Sequence, residues 1–322
     1  MIRRVALSCV ATLLSATAIA QGFPTKPVRL IVGYAAGGPT DVIARVIAQD
    51  MSISLGQGVV VENKTGANAL IATQETKRAA PDGYTLLVTT LSHNVNAILM
   101  ADKKHYDPLN DFAPVSLVTY LPLVMVAKPD APFNSVQDLV KLARAKPGEV
   151  SYASAGNGGS AHLAAALLEA LSSTKMTHVP FRGNAPALTE VMAGRVTFMF
   201  YPMIGIADQV AAKRLKVLAV STAKHHPDYP NVPTMDESGF PGFEQYTQGL
   251  GVVAPAGTPA PVIDKLNQAI RASLLKPETR DKLKALGAIT EGGSTPAEFR
   301  AFLQKDAERW AKVIKTAGVT AD

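Results

Sequence analysis

The chain has 322 residues, a formal net charge of +6, 47% hydrophobic and 18% charged residues, and a single cysteine. That balance describes an ordered globular protein with ample core and excludes intrinsic disorder. The positive excess is scattered, with no Lys/Arg run and no interleaved aromatics, which favours attraction of small anions over binding of nucleic acid.

Residues 1–20 read as a secretory signal: Arg3 and Arg4, an apolar stretch from Val5 to Ala20, and Ala18-Ile19-Ala20 at the cleavage point. The stretch falls short of the roughly 20 residues a membrane helix needs, and Ser8, Thr12, Ser15 and Thr17 dilute it. Removing it takes away Arg3 and Arg4, lowering +6 to +4, and also Cys9, so the exported chain carries no thiol, disulfide or cysteine-ligated metal. The about 300 residues that remain exceed the size at which one core stops growing, so two lobes with a cleft between them are expected.

In chain order, VRLIVGY, VVVENK and YTLLVTT read as strands, with helices around residues 40 to 55 and 68 to 80. APVSLVTYLPLVMVAK is too long for one ordinary strand, and Pro122 does not suit a central one, so this segment is read as a passage between lobes. A second unit follows: helix SVQDLVKLARAK, strand VSYAS, helix SAHLAAALLEALSS, strand THVPF, helix APALTEVMAG, and strands VTFMFY and KVLAVST. These alternations are the pattern of parallel strands joined by helices. The Pro- and Gly-rich HHPDYPNVPTMDESGFPGF is irregular, and GLGVVAPAGTPAPV is a strand, a turn and a helix start at Pro259 or Pro261. VIDKLNQAIRASLL, ETRDKLKALG and PAEFRAFLQKDAERWAKVIKTAG are helical by spacing. In the last, Phe299, Phe302, Leu303, Ala307, Trp310 and Val313 form one apolar face, with Trp310 a core residue. The expected architecture is two α/β lobes, 21–122 with 251–322 and 123–250, joined by two crossovers near 118–126 and 246–254. The C-terminal helices are expected to pack back on the first lobe.

Two strand-to-helix joins are glycine-rich: Tyr34-Ala-Ala-Gly-Gly-Pro-Thr-Asp41 and Ser154-Ala-Gly-Asn-Gly-Gly-Ser-Ala-His162. Each presents backbone N–H groups at the positive end of a helix, where glycine lets a ligand approach the chain closely. Anion binding is the expected use, at the C-terminal ends of the strands. Neither join is a Walker loop, for lack of a Gly-Lys-Ser/Thr ending, or a GxGxxG fingerprint. The bland alternative is a pair of tight turns with helix caps, Thr40 or Asp41 in one and Ser160 in the other. Ser92, His93, Asn94, Asn96, Phe181, Arg182, Gly183, Asn184 and Tyr201 also fall at strand ends. Arg182 is either a carboxylate clamp or a solvated arginine. Tyr201 is a ligand contact or lobe core, and His162 a capping or packing residue.

Signs of catalysis are few. No GxSxG elbow surrounds Ser154 or Ser160, and Ser160 and His162, two apart on a helix start, do not face each other. His225-His226 is read as a solvated loop pair without the carboxylate or cysteine partner that would make a metal site.

PVRLIVGYAAGGPTD, PDGYTLLVTT, YDPLNDFAPVSLV, SYASAGNGGSAHL, HVPFRGNAPALTEVMAGRVTFMF, LKVLAVSTAKHHPDYPNVPTMDESGFPGFE and APAGTPAPVIDKLN resemble consecutive blocks of the tripartite tricarboxylate transporter substrate-binding proteins, the Bug or TctC-like family. The resemblance runs over essentially the whole exported chain. It implies a periplasmic, two-lobed Venus-flytrap protein of the type II-like class with two crossover hinges. Such a protein acts as a monomer without cofactor or catalysis, captures a small carboxylate and hands it to a membrane transporter. A receptor presenting its ligand to a membrane sensor is the alternative, and a secreted hydrolase a remote one. Carried onto this chain, the resemblance assigns ligand anchoring to Gly37, Gly38, Thr40 and Asp41 in the first lobe and to Ser154, Gly156, Asn157, Gly158 and Ser160 in the second, and Ser92, Arg182 and Gly183 to the rest of the ligand. Tyr34 and Ala35 in the first join and Phe181 and Tyr201 at strand ends are further expected ligand contacts. Two departures stand out: Pro39 where the family usually has glycine, and Tyr201 where it commonly has aspartate. An aspartate suits the amino group of an amino acid, whereas tyrosine offers an aromatic face and one hydroxyl. A ligand without a cationic amine is therefore expected: a dicarboxylate, or an aromatic or other apolar monocarboxylate.

Overall fold

The computed structural model describes residues 22–103 and 105–320; the signal segment and Cys9 lie outside them. The chain opens with β1 (Val28–Val32), α1 (Pro39–Leu55), β2 (Val59–Asn63), α2 (Leu70–Arg78), β3 (Thr85–Thr89), α3 (Ser92–Leu99) and β4 (Phe112–Leu121). After Pro122 come β5 (Leu123–Ala127), α4 (Val136–Ala145), β6 (Ser151–Ser154), α5 (Ser160–Ser172), β7 (Thr177–Pro180), α6 (Asn184–Met192), β8 (Phe198–Pro202), α7 (Ala207–Ala211) and β9 (Lys216–Val220). An irregular passage leads to β10 (Gln248–Pro255), α8 (Ala260–Leu275), α9 (Pro277–Ala285) and α10 (Pro296–Ala317).

The strands form two five-stranded sheets, ordered β2-β1-β3-β10-β4 and β7-β6-β8-β5-β9. The run of alternating units predicts parallel strands, and β1, β2 and β3 are parallel, as are β6, β7 and β8. The exceptions are β10 and β5, each antiparallel to both neighbours. These are the two strands that arrive from the other lobe, and a strand entering from across the cleft runs the opposite way to strands leading toward it. β3, β5, β8 and β10 are buried along their whole length, as interior strands covered on both faces should be, whereas β2 and β7 are partly exposed edges. β10 joins the first sheet from Gln248, three residues ahead of the expected lobe boundary at 251.

α1 follows proline's preference for the first helical turn and stops at Gly56 in the left-handed conformation (φ 68°). α10 starts on a full capping box, with Thr295 accepting from the Glu298 N–H and Glu298 accepting from the Thr295 N–H. Its role differs from the expected packing on the first lobe alone. Phe299 and Leu303 pack with Ile31, Leu87 and Phe112 of the first sheet, while Trp310, Val313 and Ile314 pack with Phe200, Phe243 and Tyr246 of the second lobe. The 22-residue helix is long enough, at about 1.5 Å per residue, to span both cores with one apolar face. Trp310 is fully buried, edge-on to Tyr246 at 5.7 Å, with its indole N–H donating to Asp306.

Candidate functional site

The glycine-rich joins fall at the C-terminal ends of β1 and β6 and turn out to be the same structure built twice. Gly37 and Gly158 adopt the left-handed conformation (φ 77° and 71°), which a side chain would strain. Gly38 and Gly159 are the N-caps, with φ −80° and −68° and ψ 168° and 161°. Glycine caps offer no side-chain acceptor, and a side chain three residues into each helix takes that part. Asp41 accepts from the Gly37 N–H at 2.9 Å, and His162 Nδ1 accepts from the Gly158 N–H at 3.0 Å. The first helical bonds run from Val42 to Gly38 and from Leu163 to Gly159, so the intervening amides of both helix starts lack a carbonyl partner.

This arrangement sorts the expected site residues. The Asp41 carboxylate is taken up within its own lobe, by Gly37, Arg45 and Asn63. Burial pushes its pKa up, but Arg45 and the donors from Gly37 and Asn63 outweigh this and hold it below the usual carboxylate range. Ser154 is fully buried, its hydroxyl 2.6 Å from His178 Nε2 and bonded to the Gly156 backbone. A Ser–His contact thus exists that the sequence does not foretell, but its oxygen is sealed from any substrate. Tyr152, His178 and His162 stack beneath the turn, with the two imidazoles 4.1 Å apart. Burial lowers the His162 pKa to about 4, so the ring is neutral and free to accept. Ser92 is equally enclosed, in a relay that runs Ser92–Thr90–Tyr34–Asn68–Asn96.

The groups left over are different. Thr40, Ser160 and Tyr201 are 4%, 7% and 3% exposed, and their hydroxyls make no hydrogen bond to any described residue. Tyr201 lies on β8 among Val124, Ala153, Leu188 and Val191, and burial raises its pKa. Asn184, the first residue of α6, is 9% exposed, and its Oδ1 is buried without a partner.

The lobes touch across these turns. The Ala35 N–H donates to the Arg182 carbonyl at 3.1 Å. A β-carbon on Gly183 would stand 2.8 Å from Ala35 N, and one on Gly38 would stand 3.7 Å from Ala185 N. Beside this contact a cavity of about 360 Å³ is lined from the first lobe by Gly33, Gly66–Ala69, Asn96, Leu99 and Met100, and from the second by Ala155, Gly156, Asn157, Pro180, Phe181 and Arg182. Of the expected residues it takes in Gly156, Asn157, Phe181 and Arg182; Tyr34 reaches it through Asn68, and Ala35 through Arg182. Among the described residues, Arg182 is the only charged side chain in that lining and is exposed, without a salt bridge to another of them.

Sequence reading passes over the segment Gly66–Ala69, where four successive residues have positive φ: 134°, 45°, 48° and 68°. For alanine that conformation is costly, and such strain gathers at ligand sites. The single glycine and the asparagine in KTGANAL are the local signal that could find it. His225 has a carboxylate partner after all, Glu237 at 2.8 Å, brought close by the irregular passage. No group of three or more potential metal ligands occurs among the described residues.

A model of the tripartite tricarboxylate transporter family receptor matches residues 43–319. A Pseudomonas sp. (strain P51) protein, the UPF0065 protein in the tcbD-tcbE intergenic region, is 39% identical over 295 residues, or 91% of this chain and 87% of that protein. The solved periplasmic binding protein BugD is 34% identical, with 93% of this chain and 100% of that one covered and a TM-score of 0.88. MatC from Rhodopseudomonas palustris, solved with bound malate, is 32% identical over 91% of this chain and 100% of its own, with a TM-score of 0.86. R. palustris Rpa4515, solved with adipate, is 33% identical over 92% and 99%, with a TM-score of 0.87. BugD is a periplasmic binding protein, and MatC and Rpa4515 each hold a small carboxylate. From the extent of the match and the shared two-lobed fold, the chain belongs to the tripartite tricarboxylate transporter receptor family.

Proposed function

We propose that the protein is a periplasmic receptor that captures a small organic carboxylate between its lobes and delivers it to a tripartite tricarboxylate-type membrane transporter. The observation that carries this reading is the matched pair of turns, one on each lobe, whose helix starts keep backbone amides and the buried hydroxyls of Thr40 and Ser160 unpaired among the described residues. One carboxylate placed between them receives donors from both helix dipoles, and its binding favours the closed lobes. In this reading Ala35, Gly37, Gly38, Gly156, Gly158 and Gly183 bring backbone near the ligand. Asp41, Ser154, Ser92 and Tyr34 hold the turns in place. Thr40, Ser160, Arg182, Asn157, Phe181 and Tyr201 contact the ligand or close over it. Residues 22–122 with 248–320, and residues 123–247, act as the two lobes.

Among the described residues, the lining of the cavity holds a guanidinium and no carboxylate. A cationic amine has no partner there, whereas a second carboxylate has one in Arg182. Unaminated dicarboxylates of the kind bound by the malate and adipate relatives fit best. A thermal-shift panel of organic acids, with mass spectrometry of small molecules carried through native purification, tests the reading. Stabilisation by di- or aromatic carboxylates is expected; a preference for free aspartate or glutamate over their unaminated counterparts refutes the substrate class.

A further inference from the structure

His225-His226, which the carboxylate site does not use, lines a second groove between the lobes, of about 640 Å³. One wall is the irregular passage after β9, from Thr222 to Asp228 in the second lobe; the other is α9 of the first. The sheet order β7-β6-β8-β5-β9 puts the crossover strand β5 between this passage and the turn after β6. The groove therefore lies on the far side of the crossover from the carboxylate site. The lobes touch beside it: the Gly205 N–H donates to the Leu286 carbonyl at 3.1 Å, and Gly287 packs so closely on the Met203 carbonyl that a β-carbon has no room.

Both walls are held in place by the fold itself. On α9, Thr279 and Leu283 are buried, with the Thr279 hydroxyl donating to Asp50 of α1. This turns Pro277, Arg280, Asp281 and Lys284, spaced three and four apart, toward the groove. Opposite, the His225 ring has an acceptor at each nitrogen, the Pro230 carbonyl at 2.7 Å and the Glu237 carboxylate at 2.8 Å. Only the imidazolium donates from both, and these partners raise the pKa of the ring above its ordinary value. Its charge is matched by Glu237, and the two bonds fix the loop that carries Lys224. Between the walls, the backbone of Ile289 exchanges hydrogen bonds with Tyr120 of β4 at 2.8 and 3.1 Å. The Ile289 side chain, 42% exposed, is thus a fixed apolar surface in the lining.

Lys224, Arg280 and Lys284 make no ion pair with any described residue, and the carboxylates in the lining are Asp228, 3.7 Å from His226, and Asp281. Three cations against two carboxylates leave a positive excess, and Arg280 keeps its whole fork of donors. A guanidinium and two ammonium groups around an exposed isoleucine suit a molecule with an anionic head and an apolar body, in a groove of the size that small ligands occupy. We infer that this groove is a second binding site, for a small amphiphilic organic oxyanion, and that its occupant, touching both lobes, is coupled to closure of the cleft. The inference goes beyond the carboxylate-receptor reading and needs only the two-lobed fold. The groove has this shape while the lobes are in contact through Ala35 and Arg182. An anion held by Lys224 of one lobe and Arg280 of the other favours that state, so it and a ligand of the cleft strengthen each other by the same factor.

Calorimetric titration with phenyl phosphate tests the site, with inorganic phosphate as the head alone and benzyl alcohol as the body alone. Phenyl phosphate is expected to bind about tenfold more tightly than either. Arg280→Glu and Lys224→Glu, one on each wall, should each weaken it about tenfold, and Ile289→Ser should weaken phenyl phosphate while sparing inorganic phosphate. Lys282→Glu makes the same charge change on α9 outside the lining and should leave binding unchanged. All four side chains are exposed, so melting temperatures should stay close to wild type. Coupling is read by titrating the best acid of the panel with and without saturating phenyl phosphate. The acid should bind about fivefold more tightly with it in the wild type and no more tightly in Arg280→Glu, whose acid affinity alone should match wild type. Absence of phenyl phosphate binding, binding that survives both Arg280→Glu and Lys224→Glu, or an equal loss in Lys282→Glu overturns the site. Binding in the groove that leaves the acid affinity unchanged or lowers it overturns the coupling. If no acid binds but phenyl phosphate binding depends on Arg280 and Lys224, the carboxylate-receptor reading falls and the groove stands.

Discussion

Gly183→Ala separates closure from folding. Gly183 holds φ 149° and ψ 168°, a region essentially restricted to glycine, and its Cα faces the first lobe. An added methyl would stand 2.8 Å from Ala35 N and 3.1 Å from Ala35 Cβ, well inside the usual contact of about 3.5–4.0 Å. The backbone strain, about 1–3 kcal/mol, is present whether the lobes are open or closed, so it lowers the melting temperature without changing affinity. The collision exists only when the lobes meet. Overpacking of that kind costs about 1–3 kcal/mol, which lowers the closed population and weakens apparent affinity about 5- to 150-fold. Calorimetric titration with the best acid from the panel measures the affinity, and thermal melting without ligand measures the strain. Gly148→Ala is the control: it has φ 83° in the second lobe, far from the seam, with nothing within 4 Å of the added carbon. It should lower the melting temperature and leave binding alone. If Gly183→Ala behaves like Gly148→Ala, with reduced stability and unchanged affinity, the Ala35–Arg182 contact is not part of the ligand-bound form.

Thr40→Val and Ser160→Val should each weaken ligand binding about fivefold, or about 1 kcal/mol, with melting temperatures unchanged, because neither hydroxyl has a partner in the ligand-free fold; normal binding by both variants in a titration would remove these helix starts from the site. Trp310→Ala should cost about 3–5 kcal/mol in urea unfolding, since a fully buried indole leaves a cavity and Asp306 loses one of its donors. Burial lowers the pKa of both His162 and His93 to about 4, below the usual 6.5. The unfolded chain therefore binds more protons at these two imidazoles than the fold does between pH about 6.5 and 4, so their contribution to stability should fall as pH drops through that window and level off below it. Urea melts from pH 7 to 4 measure the slope, and His162→Gln should flatten it; an unchanged slope in that variant would mean that the imidazole is not held neutral by burial.

Much of this organisation is legible in the sequence because the signals are local. VRLIVGY and YTLLVTT show their burial by composition, and the glycines of the two joins announce turns at helix starts. The passage at Pro122 is legible because proline cannot serve an interior ladder. Non-local features escape. The antiparallel insertion of β5 and β10 depends on which lobe a strand reaches, and strand composition carries no direction. The bridging of both cores by α10 escapes because an apolar stripe states only that something covers it, and Phe299 and Trp310 meet different lobes. Within the candidate site the residue types are readable and their commitments are not. Asp41 and Ser154 look like ligand contacts until Arg45, Asn63 and His178, distant in sequence, are seen to occupy them. Asn184 looks like one more polar residue at a strand end until its Oδ1 is seen to be buried without a partner among the described residues.

The exchange of strands sets an order of assembly. The second sheet is complete within residues 123–220, a single continuous stretch that needs no strand from the rest of the chain. The first sheet is different: β10 lies between β3 and β4, pairing Val252 with Val88 and with Ser116, so that β4 has no strand beside it until residue 248 arrives. During refolding the second sheet can form early, although its core is completed only when Trp310 of α10 arrives, while the first remains a three-stranded fragment with β4 apart from it. Closing that gap means closing a loop of more than a hundred residues, a non-local step of the kind that slows folding. The last strand to dock is also one that links the two lobes, so the chain gains its cleft only at the end of folding, and a truncated chain that stops short of β10 has a second lobe with nothing to close upon.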